Sequence, residues 1–319
     1  MHKTITRLIL LVIDVKETTV LKKRPNAGLN PETDFAEMYR NLATYEFPWD
    51  INQALSFALF RTYAVPSIGR LLDETAAFTE ATQKRYDDTG ILLEIPLVEG
   101  FDSTRGRSAI RRINQMHKMY DISNDEFRYV LATFVVVPRR WLADFGWRDL
   151  TDDEIRASVR YYQTLGKHMN IKGIPETYDD FAALMDSYEA EHFAFDAGSR
   201  RVADATMELM CSFYPRFAAR GVDLFSRALM DEPLIEAFGF DEPGRFARAA
   251  SRGALKARAR LLSVLPSRRK PQYVQDMSRI RSYPNGFDID QMGTFAPGCP
   301  VHRPAETTEP ARDVETTGA

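Results

Sequence analysis

The chain has 319 residues, of which 44% are hydrophobic and 27% charged, and a formal net charge of −3. That length can bury a sizeable core without disulfides or a structural metal, and the composition is that of a globular protein in water. The balance of charge gives no support to nucleic-acid binding. The two cysteines, Cys211 and Cys299, are far apart and form no CxxC, so a disulfide framework is excluded.

Residues 5–15 contain the apolar run Leu8-Ile9-Leu10-Leu11-Val12-Ile13, ended by Asp14. The run is too short for a signal-peptide centre or a membrane span. The expected location is therefore cytoplasmic, or peripheral to a membrane through this segment. Residues 20–34 are polar and turn-rich, with Pro25, Gly28 and Pro31, and close an N-terminal segment and linker over 1–34.

Helical patterning starts at Phe35. Residues 49–63 are mostly apolar and aromatic, and Pro66 interrupts them. The next helix is expected over 67–85, with Leu71, Leu72, Thr75 and Phe78 on one side, followed by an apolar continuation over 89–97 broken by Pro96. Residues 100–106 form a loop in which Ser103 or Thr104 caps a helix ending near His117. Ser123-Asn124-Asp125-Glu126 and Thr151-Asp152-Asp153-Glu154 are capping boxes. The first opens a helix over 127–137 that Pro138 ends, and the second opens one over 155–169. Further helices are expected from Thr177 to about Phe193, and over 199–213, 217–230 and 244–265. Strand signals are scarce, and Phe134-Val135-Val136-Val137 finishes a capped helical pattern. The pattern predicts an all-α fold, with one globular domain over 35–295 and a disordered Pro/Thr/Glu-rich tail over 296–319.

Most chemical motifs are missing. There is no HExxH, EF-hand loop, Walker A sequence, GxGxxG after a strand, or GxSxG. Glu189-Ala190-Glu191-His192 is a single Glu-x-x-His, whereas a di-iron bundle needs two. His192 therefore reads as a polar helix-end residue, and His168 as a cation favoured at a helix C-terminus. Cys211, inside Leu209-Met210-Cys211-Ser212-Phe213, reads as a buried inert thiol. Residues 245–270 hold nine Lys or Arg and no acid. That is either a solvated helix face or a surface for anionic lipid or another acidic partner.

His117 stands out among five histidines. It shares an apolar stripe with Ile110, Ile113 and Met116, while the flanking arginines and Lys118 are expected to point elsewhere. Such a histidine is either a satisfied core residue or a ligand. An all-α chain can hold a flat apolar cofactor between its helices, and haem needs only one protein ligand. Upstream, Arg85 and Thr89 lie one turn apart and put two donors on one helix face, suited to a haem propionate or to dioxygen.

Several blocks carry a resemblance to a known family. They include Tyr45-Glu46-Phe47-Pro48-Trp49, Phe60-Arg61-Thr62-Tyr63-Ala64-Val65-Pro66, Lys84-Arg85-Tyr86-Asp87-Asp88-Thr89 and Arg112-Ile113-Asn114-Gln115-Met116-His117. Gly146-Trp147-Arg148, Gly166-Lys167-His168-Met169 and Val202-Ala203-Asp204-Ala205-Thr206 follow in order. Over about residues 40–215 the chain resembles the MpaB-type oxygenases, which share a catalytic domain with latex-clearing rubber oxygenases. The resemblance implies haem b in a globin-like helical core, with His117 as the proximal iron ligand. It matches Arg85, Asp88 and Thr89 to a distal Arg-x-x-Lys-Thr motif, in which Asp88 replaces the lysine. An aspartate there would pair with Arg85 or serve as a base. The implied reaction is cleavage of a carbon–carbon double bond in an isoprenoid-type substrate by dioxygen, giving carbonyl products, with Arg85, Thr89 and Asp88 as catalytic candidates. The alternatives are a haem- or lipid-binding all-α protein without oxygenase turnover, and a cofactor-free helical interaction protein.

Overall fold

The structure, a computed structural model, describes residues 24–76 and 80–293. The apolar run at 8–13, Phe78, Cys299 and the tail over 296–319 lie outside them. Among the described residues there are twelve α-helices and no strand. In chain order they are α1 (Phe35–Asn41, continued by a π-turn, Leu42–Glu46), α2 (Pro48–Thr62), α3 (Pro66–Glu74) and α4 (Thr82–Glu99). Next come α5 (Thr104–His117), α6 (Asn124–Phe145), α7 (Asp152–His168) and α8 (Tyr178–His192). The last four are α9 (Ala197–Ser212), α10 (Ala219–Leu229), α11 (Glu232–Phe238) and α12 (Arg245–Val264). None of the described helices is long and apolar enough to cross a membrane.

Local chemistry explains many of the starts. Ser103 caps α5 by accepting from the Gly106 N–H. Ser123 with Glu126, and Thr151 with Glu154, close full capping boxes on α6 and α7. Thr177 with Asp180 does the same for α8. The buried faces of α1, α2 and α5 to α8 then meet in one core, where Tyr129, Ala132, Val136 and Phe181 are fully enclosed. A second cluster joins Phe60, Tyr63 and Ala64 on and just past α2 to α9 and α11. A third joins the start of α2 and the end of α6 to Leu255 of α12.

Several sequence expectations are corrected. The helix expected over 67–85 is two helices, because Ala76 adopts a left-handed φ of +54° that ends α3. Arg85 and Thr89 consequently share α4, which runs through Pro96 to Glu99. Pro138 does not end α6. An interior proline costs about 3 kcal/mol, but beyond it Trp141, Leu142 and Phe145 are buried to 7%, 1% and 4% exposure, each contributing roughly 1.5–3 kcal/mol. The short α11 was not expected, and it opens on an Asp231 cap with Pro233 in its first turn. Finally, residues 24–34 are docked rather than a free linker. Buried Asn26 donates to Met38 O and to Glu154.

The C-terminal segment over 266–293 crosses α4 and α5 with no regular structure beyond a 3-10 turn at Ile289–Gln291. Ile289 and Met292 pack against Ile91, Leu92, Ile95, Ala109 and Ile113. Arg112, expected to point away, is buried and donates to Met292 O at 2.6 Å.

Candidate functional site

His117 is the last residue of α5. Ile110 and Ile113 on its stripe are buried, while Met116 and His117 are half-buried, and Arg111 and Lys118 are exposed. The imidazole meets the edge of Phe127 at 5.3 Å between ring centres. Its Nδ1 is buried and has no hydrogen-bond partner among the described residues. Burial, and secondarily the nearby Arg85 charge, hold its pKa down at about 4. The ring is therefore neutral at ordinary pH.

Arg85, on α4, lies near enough to this ring for its charge to act on it. Its Nη1 donates to Thr89 Oγ1 at 2.5 Å, and the same hydroxyl donates back to Arg85 O at 2.8 Å. The pair is thus fixed within one helical turn. Burial lowers the Arg85 pKa, and the fields of Tyr63, Asp88 and Tyr120 work against that shift. Buried Tyr63 is held well above the usual phenol range by desolvation, with Arg85 pulling the other way. Tyr63 and Tyr120 are site residues that the sequence did not single out. Tyr63 lay in a quoted block, but its nearness to Arg85 arises only when the end of α2 meets α4.

Asp88 is turned to a different purpose. It is completely buried, and its carboxylate accepts from Lys84 Nζ at 2.6 Å, Gly293 N at 3.0 Å and the Tyr283 hydroxyl. Those partners tie α4 to the C-terminal segment. One turn of α4 therefore has two faces: Lys84 and Asp88 hold the segment at Tyr283 and Gly293, and Arg85 and Thr89 lie on the side of His117.

The other two described histidines have settled surroundings. His192 Nδ1 lies 2.9 Å from Tyr188 O, and its ring stacks on Tyr188. Glu189, the acid of its Glu-x-x-His, is bound by Arg61 and the Tyr129 hydroxyl. His168 sits in the last turn of α7 and stacks on Phe101. Half-buried Cys211 donates to Ala219 O, and burial raises its pKa, as suits an inert thiol. A groove of about 370 Å³ opens on the outer side of α5 between Arg107, Arg111, Asn114, Lys118 and His168. Neither His117 nor Arg85 is among its walls.

A metal ligand of the imidazole type must be neutral and must have a nitrogen free to give. Among the described histidines, His117 meets both conditions. An orphaned buried nitrogen costs about 1–3 kcal/mol, which coordination would recover. No three His, Cys, Asp or Glu side chains gather into a metal cage among the described residues. His117 would therefore supply a single protein nitrogen to a metal whose other ligands come from a bound cofactor.

Comparison with known proteins gives a consistent result. Residues 54–264 match the family described as ER-bound oxygenase mpaB/B'/rubber oxygenase, catalytic domain. The chain is 28% identical over 222 residues to the ER-bound oxygenase mpaB' of Penicillium brevicompactum, covering 64% of this chain and 52% of that one. It is 30% identical over 225 residues to the ER-bound oxygenase mpaB of Penicillium roqueforti, covering 65% and 75%. Against the mpaB protein of Penicillium brevicompactum it is 29% identical over 191 residues, covering 54% and 49%. The chain thus spans about half the length of two of these relatives.

Proposed function

The chain belongs to the mpaB/rubber oxygenase catalytic-domain family, and on that footing we propose that it is a haem b-dependent oxygenase. It uses dioxygen to cleave a carbon–carbon double bond in a hydrophobic, isoprenoid-type substrate and yields carbonyl products. The oxygenase part is supported by the names of the relatives, which are also called ER-bound. Peripheral membrane contact is part of the same reading. The haem part is carried by one observation: a neutral imidazole, His117, with a buried and unpartnered ring nitrogen.

In this reading His117 is the single protein ligand to the iron. When bound, haem b supplies the one-electron and dioxygen chemistry, and the protein supplies binding, orientation and polarity. Arg85 presents a positive charge whose direction Thr89 fixes beforehand, so no reorganisation is needed when negative charge develops in the site. The same donors suit a propionate. Tyr63 remains a protonated phenol within the field of Arg85. Phe127 sets the plane of the His117 ring by its edge contact. Asp88, bound to Lys84, Tyr283 and Gly293, acts by position: it fixes the turn of α4 from which Arg85 projects.

The test is spectroscopic first. Expressed with a haem supply, the wild type should show a Soret band that His117→Ala loses while its helical circular dichroism is unchanged. A wild type without the band, or a variant that keeps it unaltered, would remove the haem assignment. Turnover is then assayed with a farnesyl-bearing alkene and isotopically labelled dioxygen, and label in the carbonyl products is expected. A haem-loaded protein that leaves the alkene intact would reduce the reading to binding without oxygenase turnover.

A further inference from the structure

The basic stretch over 245–270 divides sharply once α12 is in place. Arg248 donates to Met230 O, Arg252 pairs with Asp144, and Arg258 pairs with buried Asp50 while lying over the Trp49 ring. These three bases are part of the fold. The other six, Arg245, Lys256, Arg260, Arg268, Arg269 and Lys270, are exposed. None of the six has a carboxylate partner among the described residues.

Beside them runs an apolar stripe on the outer face of the helix. At about 100° per residue, Phe246, Ala250, Gly253, Ala257, Leu261 and Val264 fall within one narrow sector, and all are exposed. Phe246, Leu261 and Val264 expose 87%, 60% and 77% of their surface. The opposite sector holds Leu255 and Ala259, buried at 4% and 8%. The outward face therefore packs against nothing among the described residues. An ordinary solvated helix is polar there. Neighbouring α10 packs along α12, and its flank also exposes an aromatic residue, Phe217, at 91%.

We propose that the outer face of α12 is a docking surface for an anionic lipid bilayer, with Phe246, Leu261 and Val264 entering the headgroup boundary and the six bases contacting lipid charge. A bilayer supplies both things the face lacks, an apolar phase and negative charge, in one plane. A second copy of the chain fits poorly, since a two-fold contact sets the same unneutralised bases against each other. Vesicle binding of this kind requires neither His117 nor a cofactor, so it stands or falls apart from the oxygenase reading.

The experiment uses the full chain and flotation with phosphatidylcholine vesicles, with or without phosphatidylserine at about a third of the lipid. Binding should rise at least about tenfold with the anionic lipid and fall in high salt. Phe246→Ser/Leu261→Ser/Val264→Ser keeps every charge and should lose at least about tenfold in binding. Lys256→Glu/Arg260→Glu/Arg268→Glu keeps every apolar group and should lose binding too. Both variants alter exposed positions and should keep the wild-type melting temperature. The proposal is overturned if the wild type does not float with anionic vesicles, or if either variant binds as the wild type does. Capture of poly-glutamate without vesicle binding also overturns it and gives the face to an acidic polypeptide.

Discussion

Arg148 shows how much one side chain can hold when its charge is taken out of water. Its guanidinium forks between Glu46 and Glu154 at 2.5 and 2.7 Å, and the three side chains are only 12%, 5% and 4% exposed. Burial by itself raises both carboxyl pKa values. For Glu154 the hydrogen bonds from Arg148 and the Thr151 N–H outweigh it, so the net shift is downward, while Glu46 remains raised. Removing the arginine would strand two buried carboxyls, and such a loss costs about 3–5 kcal/mol. Arg148→Ala is therefore expected to lower the denaturant midpoint severely. Arg140→Ala breaks a pair whose members are 47% and 54% exposed and should cost less than about 1 kcal/mol. Equal losses for the two variants would show that burial does not set the strength of these pairs. The sequence marked Gly146-Trp147-Arg148 as a block but could not join it to Glu46, which lies 102 residues away.

At the scale of helices, what was legible was whatever chemistry acts within four residues. The capping boxes at Ser123 and Thr151 were visible because cap and partner share one turn. The helix ends at Ala76 and past Pro138 were not, since a left-handed alanine has no glycine to announce it and Pro138 is overridden by packing. The crossing of α3 and α9 belongs to the same hidden class. A methyl group added at Gly69 would lie 2.0 Å from Ser199 Oγ and 2.5 Å from Tyr63 O. Overpacking of this kind costs typically about 1–3 kcal/mol. Gly69→Ala should lower the melting temperature accordingly, and adding Ser199→Gly should restore only part of it, because the Tyr63 carbonyl still obstructs. Full restoration would show that the backbone contact carries no cost. Tyr63 neighbours Arg85, so the crossing also bears on the His117 site. The sequence placed His117 on an apolar stripe and paired Arg85 with Thr89. It did not show that Asp88 faces Tyr283, because that depends on a segment almost two hundred residues downstream.

Across the whole molecule, buried acids of α4 fasten the chain after α12. Asp87 accepts from the Arg281 and Ser282 N–H groups, Asp88 from Gly293 N, and Glu94 from Val274 N and Gln275 N. This fastened segment lies beyond the part of the chain that matches the family, 54–264, yet it completes the cluster around Ile91 and Ile113. Glu94 makes its attachment dependent on pH. Burial is the main cause that raises its pKa from 4.5 to about 7, the two N–H donors pull it down, and Asp276 adds to the rise. The docked segment thus favours the protonated acid more than an undocked one does. The resulting stability is fully present below pH 4.5 and is lost as pH rises through about 7, an effect on the order of 3 kcal/mol. Hydrogen exchange at the Val274 and Gln275 amides should therefore quicken between pH 5 and 8 beyond the intrinsic base-catalysed rate. Glu94→Gln keeps an acceptor but cannot ionise, so its excess exchange should be flat over that range. An equal pH dependence in wild type and variant would show that Glu94 is ionised in the docked state and that the segment is held by Asp87, Asp88 and apolar packing alone.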